Sequence, residues 1–184
     1  MSIQLDKVQP KNKIQLEQLI GYAFKHNIYD LNFIDTSKIT NMSNLFANCE
    51  YDIDVSNWDV ANVTNMYNMF FCCQNFNSDL SNWNVSNVTD MYSMFIACEN
   101  FKGKGLENWD VSNVKDIGSM FAGCENFNCD LSNWDMSNVT DMGYAFIDCE
   151  KFKGKGLENW NVINVTSMRH MFDGCNKLTI PDWY

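Results

Sequence analysis

Five tryptophans recur at an almost constant spacing along this chain. They are separated by 25, 26, 25 and 26 residues, at Trp58, Trp83, Trp109, Trp134 and Trp160. Each lies in a near-copy of Asn-Trp-Asp/Asn-Val-Ser-Asn-Val-Thr-Asp-Met, followed by two variable residues, Met-Phe, two more residues and Cys. A period of this size is typical of a solenoid, in which each repeat packs on the next. We therefore expect one elongated repeat domain whose function resides on its surface.

One repeat, Leu80 to Phe101, predicts the local structure. Its first part has the spacing L-x-x-W-x-V, which favours a short strand with Trp83 and Val85 on one face. Its second part has apolar residues at steps of three, four and three, which is typical of one helix face: Val88, Met91, Phe95 and Cys98. The prediction is an α/β repeat fold, a right-handed solenoid of about six coils with one short strand and one short helix each.

The two ends of the chain depart from the repeat. Residues 12–27 predict an amphipathic helix, so we interpret residues 1–29 as an N-terminal cap. Residues 30–178 form the repeat region, and residues 179–184 form a C-terminal cap that contains Pro181. All three parts belong to one structural domain.

Charge and composition narrow the range of partners. The 184 residues carry 13 basic and 23 acidic side chains, a net charge of −10, which argues against binding to a nucleic-acid backbone. The sequence contains no apolar run long enough to insert into a membrane. The first residues lack the pattern of a signal peptide, so we expect none.

Six of the eight cysteines occur once per repeat, three residues after the phenylalanine. This regularity predicts buried, reduced thiols rather than disulfides. With no Cys-x-x-Cys and with His26 and His170 the only histidines, we expect neither a zinc site nor a cofactor. Cys129 takes the place of Ser78 in a predicted loop, so we expect it to be the thiol that reacts most readily.

A column of oxygen-bearing side chains follows the tryptophans: Asp59, Asn84, Asp110, Asp135 and Asn161. If neighbouring repeats lie about 4.8 Å apart, these side chains could bind calcium. They could equally close Asx turns and form a ladder of hydrogen bonds. The sequence leaves both interpretations open.

The segment Phe-Lys-Gly-Lys-Gly-Leu-Glu-Asn-Trp occurs at 101–109 and again at 152–160. We call its four lysines the lysine edge: Lys102, Lys104, Lys153 and Lys155. They form a basic island on an acidic chain. They are either solvated lysines of a glycine turn or a contact site for an acidic partner.

The repeat contains two motifs, Asn-Trp-Asp-Val-Ser-Asn-Val-Thr-Asp-Met and Met-Phe-x-x-Cys. In these motifs it resembles the BspA-like leucine-rich repeat surface proteins of bacteria, over residues 30–178. The resemblance implies a leucine-rich-repeat-like solenoid, a surface or secreted location and an adhesive or binding role. It implies no catalytic residues.

The hypothesis for function is a non-enzymatic interaction or adhesion module that presents a rigid solenoid surface to a macromolecular partner, most simply a protein. The candidate contact surfaces are the strand face and the lysine edge, and the candidate partner-binding residues also include the oxygen column after the tryptophans: Asp59, Asn84, Asp110, Asp135 and Asn161. The alternative is a structural repeat module stabilised by calcium, without a dedicated partner. No residues at the breaks in the repeat suggest catalysis.

Overall fold

The computed structural model describes residues 6–184, so the first five residues of the predicted N-terminal cap lie outside the described range. Within that range the chain has one α-helix, α1, at Lys13–Lys25. It begins where the Asn12 side chain accepts a hydrogen bond from the Gln15 N–H at 3.0 Å, as expected of an N-cap. It ends where His26 N–H bonds to the carbonyl of Ala23 at 3.0 Å. No helix of the described chain combines the length and apolar character that crossing a membrane requires.

Helix α1 covers the start of the repeats. Leu16, Ile20 and Ala23 on its inner face are buried in the common core. The Phe24 ring lies 5.0 Å from that of Tyr51 in the first repeat. The helix thereby shields one end of the repeat core from water.

The predicted α/β fold class is wrong. After α1, the described residues contain no further α-helix and no β-strand beyond isolated bridges. The regular elements that remain are two 3₁₀ turns, at Leu106–Asn108 and Leu157–Asn159. The repeats of the described chain therefore do not form leucine-rich-repeat-like coils of strand and helix, and they build neither a sheet nor a layer of helices.

The segment predicted to be helical is a row of β-turns, which we call the turn row (residues 91–98 and their counterparts 42–49, 66–73, 117–124 and 142–149). Every second N–H closes a turn onto the carbonyl three residues earlier at 3.0–3.3 Å: Met94 to Met91, Ile96 to Ser93 and Cys98 to Phe95. Ser93 and Ala97 both have a φ of 54°. A positive φ at the third residue is what a type II turn requires, and no α-helix tolerates it.

Positive φ values recur at both positions in all five of these segments and at the equivalent positions of residues 168–175. The first position is occupied by Asn44, Asn68, Ser93, Ser119, Tyr144 and His170, and the second by Asn48, Cys72, Ala97, Gly123, Asp148 and Gly174. Most of these residues have a Cβ, so the left-handed conformation costs free energy at each. The hydrogen bonds between repeats offset that cost.

The remaining N–H groups of the turn row join each repeat to the next. From one repeat to its neighbour the bonds measure 2.7–3.1 Å: Met91 to Asp116, Ser93 to Gly118, Phe95 to Met120 and Ala97 to Ala122. The same four bonds recur at all five junctions between successive repeats. Alternate N–H groups thus close turns and connect repeats, and the Tyr92 N–H donates to Asp90 Oδ1, so the backbone donors of residues 91–98 are paired.

Aromatic side chains fill the interior in columns. Successive phenylalanines of the repeat stack with ring centroids 5.4–5.9 Å apart, along Phe46, Phe70, Phe95, Phe121, Phe146 and Phe172. Each repeat tryptophan donates its indole N–H to a backbone carbonyl of the preceding repeat, as Trp83 does to Val55 at 3.0 Å. A buried indole needs such a partner.

The thiols are free, and most are buried. In the column of repeated cysteines, Cys98 lies 3.0 Å from the Phe70 carbonyl of the preceding repeat, and burial raises the pKa of this thiol well above its usual range. The expectation for Cys129 is wrong, because it is only 7% exposed. Burial and the nearby Glu107 carboxylate raise its pKa to about 12. The Cys72 thiol is less buried than that of Cys129.

Candidate binding surface

Two glycines of the lysine-edge segments lie directly against the backbone of the preceding repeat. Gly105 and Gly156 have φ values of 97° and 95°, in the left-handed region. A Cβ at Gly105 would overlap the backbone nitrogen of Ser81 in the preceding repeat. Only glycine fits here, and the 3₁₀ turn at Leu106–Asn108 follows directly.

Two lysines of the edge are bound within the molecule. The Lys104 Nζ lies 2.6 Å from Asp79 Oδ2, and the Lys155 Nζ lies 2.6 Å from Asp130 Oδ2. Each aspartate accepts hydrogen bonds from its lysine and from the serine two residues later. These hydrogen bonds lower the pKa of both carboxyl groups to about 2. These lysines mainly neutralise the preceding repeat, so they are poorer candidates for contact with a partner.

The other two lysines have no acidic partner in residues 6–184. Both Lys102 and Lys153 are exposed, and neither forms an ion pair with a described residue. Their backbones are held in the same way: Lys102 N–H donates to Asn77 Oδ1, and Lys153 N–H donates to Asn128 Oδ1, both at 3.1 Å. The structure thus separates the predicted set into two paired and two unpaired lysines.

Hollows in the surface adjoin the edge. One, of about 390 Å³, is lined by Asp52, Asn75, Asn77, Asn100 and Lys102. Another, of about 310 Å³, contains Lys153 and Lys155 with part of the C-terminal segment, from Thr179 to Asp182. Both are open and shallow, which suits contact with an extended partner more than enclosure of a substrate.

The oxygen column after the tryptophans closes Asx turns. In each member the side-chain Oδ1 accepts the N–H two residues later at 2.9–3.3 Å: Asp59, Asn84, Asp110, Asp135 and Asn161. In the described part of the chain, no group of three His, Cys, Asp or Glu side chains is arranged to hold a metal ion. The calcium hypothesis stays a prediction, which melting curves with calcium and with a chelator can test.

The family described as "Mycoplasma protein of unknown function, DUF285" matches residues 14–105 and again residues 94–183. The chain belongs to this family. The two matches overlap over residues 94–105, and each spans several repeats. No match was found among curated proteins, and none among solved structures.

A second acidic column, Asp90, Asp116 and Asp141, was not among the predicted site residues. These three residues are bridged from repeat to repeat. Burial, followed by the charges of Asp141 and Asp90, raises the pKa of Asp116. The signal was an aspartate at the same place in three consecutive repeats.

Proposed function

We propose that this chain is a non-enzymatic binding module that offers its lysine edge to an acidic segment of a protein partner. The observation that carries the proposal is the pair of exposed, unpaired lysines, Lys102 and Lys153, two repeats apart on a chain with a net charge of −10. A basic pair on an acidic background attracts an acidic segment and repels a basic one.

Rigidity supports this role. The two lysine backbones are held by the hydrogen bonds that their N–H groups donate to Asn77 and Asn128 of the preceding repeats, and the turn rows hold the repeats together. A partner therefore meets a surface whose spacing is already set, which lowers the entropy lost on binding.

A binding role also agrees with the state of the nucleophiles. Cys98, Cys124 and Cys149 lie in the core with strongly raised pKa values, which keeps them protonated and unreactive at neutral pH. The His170 ring lies 2.7 Å from Asp173 on the exposed surface, away from the cysteine column.

The absence of a sheet in residues 6–184 removes the strand face as a contact surface, so the lysine edge takes first place. The resemblance to BspA-like surface proteins adds an adhesive role on a cell surface to the proposal. That part does not depend on the lysine geometry.

The test is affinity capture from host-cell and bacterial lysates, with captured proteins identified and then measured as purified pairs. The variant Lys102→Glu/Lys153→Glu should weaken binding at least about tenfold, because two favourable charge contacts become repulsive. The matched control, Lys38→Glu/Lys115→Glu, makes the same charge change at exposed lysines elsewhere and should bind like the native chain.

Capture that survives the edge variant would refute the lysine edge and keep the binding role. Capture from neither lysate, together with hydrolytic activity in a broad substrate screen, would overturn the binding module altogether.

A further inference from the structure

The hollow beside Lys102 has a lining unlike that of the rest of the surface. We call it the amide hollow, and its lining side chains are Asp52, Asn75, Asn77, Asn100 and Lys102. They come from three successive repeats, and none is apolar. It is open and shallow, with a volume of about 390 Å³, so a ligand bound there would keep part of its surface in water.

Two of the amides are held in fixed orientations. Asn75 donates its Nδ2 to the carbonyl of Glu50 at 2.7 Å, which leaves its Oδ1 free to accept. Asn77 accepts the Lys102 N–H on its Oδ1 at 3.1 Å, which leaves its Nδ2 free to donate. An acceptor and a donor are thus positioned before any ligand arrives, so little side-chain entropy is lost on binding.

Three further groups complete the lining. The Asp52 carboxylate, the Asn100 amide and the Lys102 ammonium make no side-chain hydrogen bond to any residue from 6 to 184. From one repeat to the next, the lining therefore supplies the Asp52 carboxylate, then the Asn75 and Asn77 amides, and then the Asn100 amide with the Lys102 ammonium group. Donors and acceptors are interleaved across it.

We propose that the amide hollow binds a sugar ring. A hydroxyl both donates and accepts, so neighbouring ring hydroxyls match a surface where amide, carboxylate and ammonium groups alternate. Asp52 and Lys102 carry opposite charges, so the lining as a whole favours neither a free anion nor a free cation, and an uncharged polyol can hydrogen-bond to both groups.

The repeat provides an internal comparison. Two repeats further on, the counterparts of Asn75 and Asn100 are Asn126 and Lys151. There the Lys151 Nζ donates to Asn126 Oδ1, which occupies the acceptor that is free in the amide hollow. The residue 51 positions after Asp52 is Gly103, which supplies no carboxylate. The lining of the amide hollow is therefore not reproduced two repeats further on.

This inference goes beyond the proposed function. It assigns a small ligand to a single hollow, which shares Lys102 with the lysine edge but depends also on Asp52 and Asn100, which are not part of that edge. A protein partner could bind the edge with the hollow empty, and a sugar could bind the hollow without a protein partner.

The test is titration of the ¹⁵N-labelled chain with free hexoses, N-acetylhexosamines and 6-deoxyhexoses, followed by calorimetry of those that bind. We expect at least one sugar to shift the amide signals of residues 52, 75, 77, 100 and 102 together. Asn100→Ala and Asp52→Ala should each weaken that sugar about tenfold, because each removes a hydrogen bond made by a group with no structural partner. The matched control Lys151→Ala should leave the affinity unchanged.

Three results would overturn the proposal. One is that no sugar of the panel shifts these signals. The second is that the shifts occur but Asn100→Ala binds as tightly as the native chain. The third is that an acidic peptide displaces the sugar both from the native chain and from Lys102→Ala. The hollow would then be part of a peptide-binding surface and not a sugar site.

Discussion

Helix α1 and the turn row of residues 91–98 have almost the same pattern of apolar residues. In α1 the buried residues are Leu16, Ile20 and Ala23, at steps of four and three. In the repeat, Met91, Phe95 and Cys98 follow the same steps and are also buried. The first segment bonds to itself as a helix, whereas the second bonds to the neighbouring repeats.

This difference shows that apolar spacing reports which side chains face the core and not how the backbone brings them there. The overlapping β-turns of residues 91–98 also bring Met91, Phe95 and Cys98 into the core, at the interval that a helix would give. What distinguishes the two segments is the left-handed backbone at Ser93 and Ala97, which directs alternate N–H groups out of the turn row. In α1 the N–H groups beyond the first turn bond within the helix, so the helix needs no neighbour to satisfy them.

The largest expected effect comes from removing a core ring. Phe95→Ala should cost about 3–5 kcal/mol, because the Phe95 ring stacks on Phe70 and Phe121 in both adjoining repeats. The loss of hydrogen-exchange protection should centre on those repeats. Leu16→Ala in α1 should cost about 2–5 kcal/mol and expose mainly the first repeat. Uniform loss along the chain in either variant would contradict coupling between neighbours.

Glycine-to-alanine substitutions should change stability in opposite directions in the repeats and in α1. Gly105→Ala places a methyl group against the Ser81 backbone at a positive φ, so it should cost about 2–4 kcal/mol. Gly21→Ala in α1 meets open space and should stabilise the chain by about 0.5–1 kcal/mol. Urea unfolding of both variants measures this, and a neutral Gly105→Ala would rule out the close approach of the repeats.

Alanine-to-glycine substitutions should also change stability in opposite directions in the turn row and in α1, by smaller amounts. Ala97 has a φ of 54°, so Ala97→Gly removes a left-handed strain of about 1–2 kcal/mol and adds less than that in chain entropy. We expect a slight gain in melting temperature. Ala23→Gly in α1 should instead cost about 1 kcal/mol or more. If both variants are destabilised equally, the backbone at Ala97 is helical.

Much of the packing could be predicted from the sequence, because a constant period aligns equal side chains. The columns of Phe95 and Cys98 and their counterparts follow from that alignment alone. The backbone could not be derived in the same way, since serine, tyrosine and alanine at left-handed positions give no conformational signal. Asn44, Asn48 and Gly123 at those positions were the available clue, because asparagine and glycine tolerate positive φ best.

The candidate site was predictable in part for the same reason. The glycine-lysine segment identified the lysine edge, since it interrupts the repeat. That Asp79 and Asp130 neutralise two of the four lysines could not be predicted, because coils of strand and helix would place these side chains differently. The amide hollow was not predictable, because three repeats must be superposed before Asp52, Asn75 and Asn100 meet.

The smallest expected effect concerns the acidic column of the turn rows. The pKa of Asp116 is raised in the folded chain, so above that pKa its ionised form lowers the free energy of unfolding. This loss of stability disappears below the ordinary value of 3.8, where the carboxyl group is protonated in both states. Asp116→Asn should therefore stabilise the chain at pH 7 by less than about 1 kcal/mol, and the gain should vanish near pH 3.

The control for this prediction is Asp135, whose pKa is lowered by hydrogen bonds from Ser137. Its contribution is present above the ordinary pKa and lost as pH falls, so Asp135→Asn should slightly destabilise at pH 7. Thermal melting from pH 3 to 7 compares the two. Equal effects at Asp116 and Asp135 would count against repulsion along the column.

The central claim is that the turn row bonds between repeats, and scalar coupling across hydrogen bonds measures this directly. In a ¹³C,¹⁵N-labelled sample, the Phe95 amide nitrogen should couple to the carbonyl carbon of Met120, because its N–H donates to that carbonyl at 2.9 Å. In α1, the Ile20 nitrogen should couple to the carbonyl carbon of Leu16. Coupling of Phe95 to Met91 instead would make the segment an α-helix and contradict the account.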